Sequence, residues 1–392
     1  MTSTDFASGR LATGLLVFTA LFVLTQLYLA IPLAGPVAAD LGGAGADFAL
    51  ATVFSLFYAV GFLIWGPVSD HWGRKRVMAP GVIVLAVATV ACAAAPNLGW
   101  LAVLRGAQGV VASSFAPIAL AWLTEALPPQ RRATAIGAMS TAFLVAGIFG
   151  QVLASAVALW LDWRWVFIIT GVTLLGAGVL IWLIVDEPVN DRPPAHLGQR
   201  FAGLLKLAAQ PRIMLLCCAH ITLLLSFVAM YSALGPHLAG LGFDPSGIIA
   251  LRMVGLPGMF AALSVGWLAT QIGMAGVARA GFLMAAAGLA TEAALANTLA
   301  GIAFGSLIFV TGVALAVPSM ITLFGTAAAP NRAGGMSLNG FVLFIGASIG
   351  PLAASAASGF QILLILLAFA LSMAALCVLA FARIQHRMSP PA

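Results

Sequence analysis

The chain has 392 residues, 62% of them hydrophobic and 7% charged, with a mean hydropathy of +1.11. That composition excludes a soluble globular domain, whose exterior must be coated by polar and charged side chains that are not available here. The formal net charge of +6 does not point to nucleic acid, because the cations sit singly or in short clusters between apolar runs, the distribution that orients membrane proteins.

A transmembrane helix needs about 20 mostly apolar residues. With charges, prolines and loop-like clusters as punctuation, the sequence predicts twelve spans, at 12–34, 48–68, 77–95, 100–124, 135–158, 165–185, 212–238, 247–270, 279–297, 300–323, 334–357 and 360–382. The fold class expected is an all-α membrane protein. The first span lies in an uncharged run too long for a signal-peptide core and reads as a retained helix. Its polar positions are Thr19, Thr25, Gln26 and Tyr28, with no acid among them. After the second span, Gly66 to Arg76 concentrates Asp70 with Arg74, Lys75 and Arg76. Cations anchor topology at the cytoplasmic face, but this does not account for Asp70, or for Gly66 and Gly73, which let a neighbouring helix approach.

In the fourth span, Arg105 lies about one turn from Gln108. A charge at a helix centre costs roughly 2.5–3.5 kcal/mol on insertion scales and marks a functional candidate, with a structural arginine bonded to carbonyls as the alternative. The fifth span carries Gly137, Gly147, Gly150 and Gln151. Asp186 to Pro211, with Pro188, Pro193 and Pro194, reads as a cytoplasmic central loop dividing an N-terminal unit, 1–185, from a C-terminal unit, 212–392. Within the loop, Phe201, Leu204, Leu205 and Ala208 form one apolar stripe, expected on a short interfacial helix. In the seventh span, Tyr231 and Pro236 match Tyr28 and Pro32 of the first; Tyr28, Tyr58, Met230 and Tyr231 are candidates for an adaptable lining. Arg252 in the eighth span either lines a cavity or snorkels to headgroups. Glu292 in the ninth is expected near the outer interface. His220 and His237 bracket the seventh span, with a structural role expected for His220.

Placing both termini in the cytoplasm leaves only Arg164 in an outer loop. The four cysteines all lie in apolar runs, without metal or redox spacing, and read as inert thiols. No Walker-type phosphate loop is present, which speaks against direct use of ATP, and no paired carboxylates or serine–histidine motif suggest an enzyme.

The halves repeat at an offset of about 200 residues: Gly66 to Gly73 aligns with Gly266 to Gly273, Gly150 to Ala156 with Gly350 to Ala356, and Arg132-Ala133 with Arg332-Ala333. Duplicated helical bundles are a transporter architecture. Gly66-x-x-x-Asp70-x-x-Gly73-Arg74-Lys75-Arg76 resembles the loop 2–3 signature of the major facilitator superfamily. Leu101-x-x-x-Arg105-x-x-Gln108-Gly109 resembles a second motif of that family, and Trp163-Arg164-Trp165-x-Phe167 a third. The resemblance runs from about residue 11 to 382, toward the twelve-helix drug:proton antiporter branch. It implies two pseudo-symmetric six-helix bundles around a central cavity.

For function, the resemblance implies a proton-coupled exporter of drugs or metabolites by alternating access, the alternative being a proton-coupled importer of a small organic anion. Asp70 would latch onto the N-terminus of helix 11 near Asn331, with Arg132 as a further partner and Glu125 pairing with the motif's cations. Thr270 stands at the repeat's equivalent of Asp70, so the latch would be asymmetric. Arg105, Gln108, Gln26, Tyr28, Gln151, Tyr231 and Arg252 are the coupling or substrate candidates. Gln151 replaces the proline of the antiporter motif, whose Gly-Pro step occurs instead at Gly350-Pro351. The partners expected are a small-molecule substrate, protons and the lipid bilayer, with no nucleic acid, cofactor or metal. A monomer in a bacterial inner membrane is expected.

Overall fold

A computed structural model describes residues 3–43, 45–188, 197–329 and 331–388. Arg192, Pro193 and Pro194 of the expected central loop lie outside the described residues. The described chain is helical throughout, without a strand. Among the described residues, eleven helical stretches are long and apolar enough to cross a membrane. One of them, Pro245–Ala294, has 50 residues, more than twice what a single crossing needs, and it is interrupted at Gly273.

The chain divides into two compact units, Met1–Leu197 and Gly198–Ala392. In the first, α1 (Ser3–Tyr28) and α2 (Ala30–Leu41) are separated by a turn at Leu29. Pro32 lacks the N–H that would bond the Tyr28 carbonyl, and its ring crowds that carbonyl, so the helix loosens there. A π-helical turn, Phe48–Thr52, leads into α3 (Val53–Trp72), and Gly73 alone separates α3 from α4 (Arg74–Ala93). Gly73 has φ 102°, a left-handed conformation that costs glycine little. The cationic run therefore opens a helix rather than filling a loop. Next come α5 (Leu98–Ala112) and α6 (Ala116–Ala126), broken around Ser113 to Phe115 just before Pro117. The 32-residue α7 (Pro129–Trp160) runs without an internal proline, and α8 (Trp163–Ile184) completes the unit. Packing joins α4 to α8, α3 to α5 and α1 to α7.

The second unit contains α9 (Leu197–Ala208, all but its first residue), α10 (Pro211–Gly240), α11 (Pro245–Val254), α12 (Leu256–Met259), α13 (Val265–Ala294), α14 (Leu299–Ala327), α15 (Arg332–Ala356) and α16 (Phe360–Met388). The predicted short helix of the central loop is α9, but its apolar stripe differs. Leu204 and Leu207 are buried while Leu205 is 76% exposed. The helix turns Leu207 inward, an i, i+3 pair in place of the expected Leu204–Leu205 edge.

Gly273 repeats the break seen at Gly73, with φ 71°, so the 200-residue offset holds in the backbone as well as the sequence. The α13–α14 pair is tight because glycines face backbone: a Cβ at Gly288 would lie 2.3 Å from Phe309 N. Leu183, Val172, Phe369 and Leu366 stay exposed on α8 and α16, as lipid-facing positions should.

Candidate functional site

The first unit buries a polar network around Arg105, and its geometry follows from helix spacing. Arg105 and Gln108 stand three residues apart on α5, so their side chains share a face. Both are fully buried. The Arg105 guanidinium donates to Leu50 O at 2.7 Å, Gln26 O at 2.8 Å and Gln108 Oε1. Phe54 closes over it, with the guanidinium carbon 4.2 Å from the ring centroid. Gln108 Nε2 donates in turn to Gln26 Oε1 at 3.0 Å and Thr89 Oγ1 at 2.7 Å. The network thus ties α1, α4, α5 and the π-helical turn together. Its charge is held by carbonyl and amide dipoles, and no described carboxylate forms an ion pair with Arg105.

Two irregularities make this possible. Leu50 belongs to the π-helical turn, and Gln26 lies one turn before the break at Leu29. Gly109 brings α3 within reach, since a Cβ there would sit 2.3 Å from Phe54 O.

The cationic motif forms a second cluster. Arg74, 5% exposed, pairs with Asp70 at 2.5 Å and with Glu125 at 2.9 Å, and Nη1 also donates to Ser69 Oγ at 2.7 Å. Ser69 Oγ donates to Gly66 O. Glu187 accepts from the backbone N–H groups of Arg74 and Arg76, where the α4 N-terminus favours an anion. Lys75 lies 5.7 Å over the Trp182 ring. Glu125 therefore stands among the motif's cations as expected, while Glu187 was missed; only its place at the edge of the central loop hinted at a helix-capping role. Arg132 donates from Nε to Leu127 O within its own turn.

The remaining candidates separate. Gln151 is fully buried on α7 and donates to Gly147 O at 2.7 Å, bonding its own helix where the antiporter motif would have a proline. Tyr28, Tyr58, Met230 and Tyr231 are all buried in this structure. In the second unit Tyr231 OH meets Ser306 Oγ at 3.3 Å. Arg252 is 4% exposed, which places it inside the protein rather than in a snorkelling position. His220 has a partner the sequence did not reveal, Asn339 at 2.9 Å, in keeping with a structural histidine. His237 bonds Ala296 O at 2.8 Å and stacks on Phe360. Glu292, expected near the outer interface, lies close to the end of α13 but is fully buried.

Residues 16–351 match the family model described as Major Facilitator Superfamily. An uncharacterized transporter of Buchnera aphidicola subsp. Schizaphis graminum is 24% identical over 59% of this chain and 57% of its own length. Multidrug resistance protein 3 of Bacillus subtilis is 27% identical over 38% of this chain and 29% of its own length. Among solved structures, a bacterial homologue of the human lysosomal transporter Spinster superposes with a TM-score of 0.73. It is 18% identical and covers 98% of this chain and 99% of that one, a likeness of fold alone.

Proposed function

This chain belongs to the Major Facilitator Superfamily, and on that premise we propose that it is a proton-coupled exporter of drugs or lipophilic metabolites. In this reading Pro245–Ala294 counts as two crossings, giving twelve, and the protein works by alternating access. The observation that carries the reading is the buried Arg105–Gln108–Gln26–Thr89 network. An ionisable group kept inside a membrane bundle marks a substrate or ion pathway, because its insertion cost has to be met by bonds designed for it. The relative named for multidrug resistance supports export.

Asp70 serves as the latch. Arg74 and Ser69 hold its end of α3, and the α15 N-terminus, capped on one N–H by Asn331 at 3.0 Å, offers the positive end of a helix dipole. In this reading release of the latch opens the cytoplasmic side. Thr270 has no charge to offer at the equivalent position.

A second reading, import of a small organic anion, is favoured by Arg105 and Arg252, both buried within helices. Proteoliposomes with an imposed pH gradient separate the two. Movement of ethidium against its gradient supports export, and movement of salicylate alone, with protons, replaces that reading with import. No protein-dependent flux of either probe with or without the gradient contradicts both. In the same assay Asp70→Asn should lower ethidium turnover at unchanged expression; unchanged turnover would remove the latch.

A further inference from the structure

The second unit contains an acid whose surroundings do not suit a negative charge. Glu292 lies in the last turn of α13 and is fully buried. Neither carboxyl oxygen has a hydrogen-bond partner among the described residues, and none of the described ion pairs includes it. The helix behind it is pressed close: a Cβ at Gly305 of α14 would lie 2.7 Å from both Glu292 Cβ and Glu292 N.

The groups around it are few. Tyr231 of α10 is hydrogen-bonded to Ser306 of α14, the residue after Gly305, and is within electrostatic reach of both Glu292 and Arg252 of α11. Further toward the helix end, His237 of α10 binds Ala296 O, and Gln361 of α16 donates to Ala293 O at 3.2 Å. An ionised carboxylate withdrawn from water needs hydrogen bonds or a counter-charge, and Glu292 has no such bond. It would also sit at the negative end of its own helix dipole. A neutral carboxylic acid avoids both costs.

The internal repeat gives an independent indication. At the 200-residue offset marked by Gly73 and Gly273, Glu292 corresponds to Cys92 and Gly305 to Arg105. In the first unit the charged group is on the later helix of the pair, and a thiol stands opposite it. In the second unit the ionisable group is on the earlier helix, and a glycine makes room for it. The duplicated halves thus bury a base and an acid at related places.

We propose that Glu292 is the proton-binding group of the C-terminal unit. One proton adds to a carboxylate oxygen when the site is open to water at the membrane face carrying the 295–298 connection. The neutral acid is then sealed between α13 and α14, and the proton is given back to water when the packing at Tyr231 and Ser306 opens. This rests on the proton-coupled reading above.

The test uses the purified full chain in lipid nanodiscs. Infrared spectra are recorded from about pH 5 to about pH 9, the range in which buried carboxyls ionise. The native chain should show a protonated-carboxyl C=O band that titrates in this range. The band should be absent in Glu292→Gln and shifted in frequency in Glu292→Asp, with Asp47→Asn leaving it in place. Coincident native and Glu292→Gln spectra at every pH would overturn the inference, and Glu292→Asp decides the matter if the Gln variant does not fold. Proteoliposomes containing a trapped pH dye then read proton movement on addition of ethidium. Loss of that movement in Glu292→Gln supports the proposal, and native proton movement in the variant overturns it. Absence of proton movement in the native chain, with the infrared band present, would instead overturn the proton-coupled reading.

Discussion

Replacing Gln108 with leucine asks how much the buried network contributes, because leucine fills nearly the same volume without the amide. The substitution removes two N–H···O bonds between helices, to Gln26 and Thr89, a long and weak thiol bond from Cys92, and one bond to the Arg105 guanidinium. Interhelical hydrogen bonds in membranes are worth about 0.6 and at most about 1.7 kcal/mol. The charged bond is worth about 1.5–3 kcal/mol. Together these give a loss of roughly 3–6 kcal/mol, or a melting temperature lower by about 6–24 °C for a unit of this size. Arg105→Leu should cost less stability than Gln108→Leu while abolishing transport. It removes three bonds, but it also removes a buried charge whose desolvation costs several kcal/mol and leaves no charge stranded. Thermal unfolding of the purified variants, followed by tryptophan fluorescence, reads both effects. A shift for Gln108→Leu no larger than that of Val103→Ala, which alters a 64% exposed position, would refute the reasoning.

Gly109→Ala should destabilise by about 1–3 kcal/mol through overpacking against Phe54 O, whereas Gly176→Ala, with nothing within 4 Å, should be neutral or better in the same melt. Arg74→Gln should cost about 1–3 kcal/mol and lower the yield of folded protein, since it leaves the partly buried Asp70 and Glu125 without their shared cation. Unchanged yield and melting would show the pairs to be idle. Asp40 accepts from the Trp163 indole at 3.1 Å and from Arg164 at 2.7 Å; these contacts, the indole bond foremost, hold its carboxyl below the ordinary value of 3.8. A depressed acid contributes its stabilisation above the unfolded value and loses it as pH falls through the folded one. The Trp163 indole N–H resonance should therefore move only below about pH 4 in the native chain, near the ordinary carboxylate range. In Asp40→Asn it should be insensitive to pH, and an identical shift in that variant would contradict the assignment.

The sequence showed most of the helices because an apolar run of membrane length is a strong signal that needs no tertiary information. The 200-residue repeat was legible for the same reason, since glycines at helix ends recur where backbones must turn or touch. Partner choice was not legible. Arg105 was singled out by its cost in a membrane, but Leu50 O and Gln26 O became its partners only because a π-helical turn and a break near Pro32 present those carbonyls. Asn339 beside His220 and Ser306 beside Tyr231 lie 119 and 75 residues away in the chain, and no local pattern announces such pairs. Glu292 was expected near the outer interface; that it is buried was not legible. Burial there depends on Gly305, on the neighbouring helix.

The most direct test of the account is proton exchange in a closed compartment. Liposomes containing the full chain and a trapped pH dye are mixed with ethidium, with no other gradient imposed. The account predicts a lumenal pH change that requires the protein, scales with ethidium and is slowed in Asp70→Asn. Ethidium movement with no accompanying pH change would contradict proton coupling, and no protein-dependent response to ethidium or salicylate would contradict transport of either class.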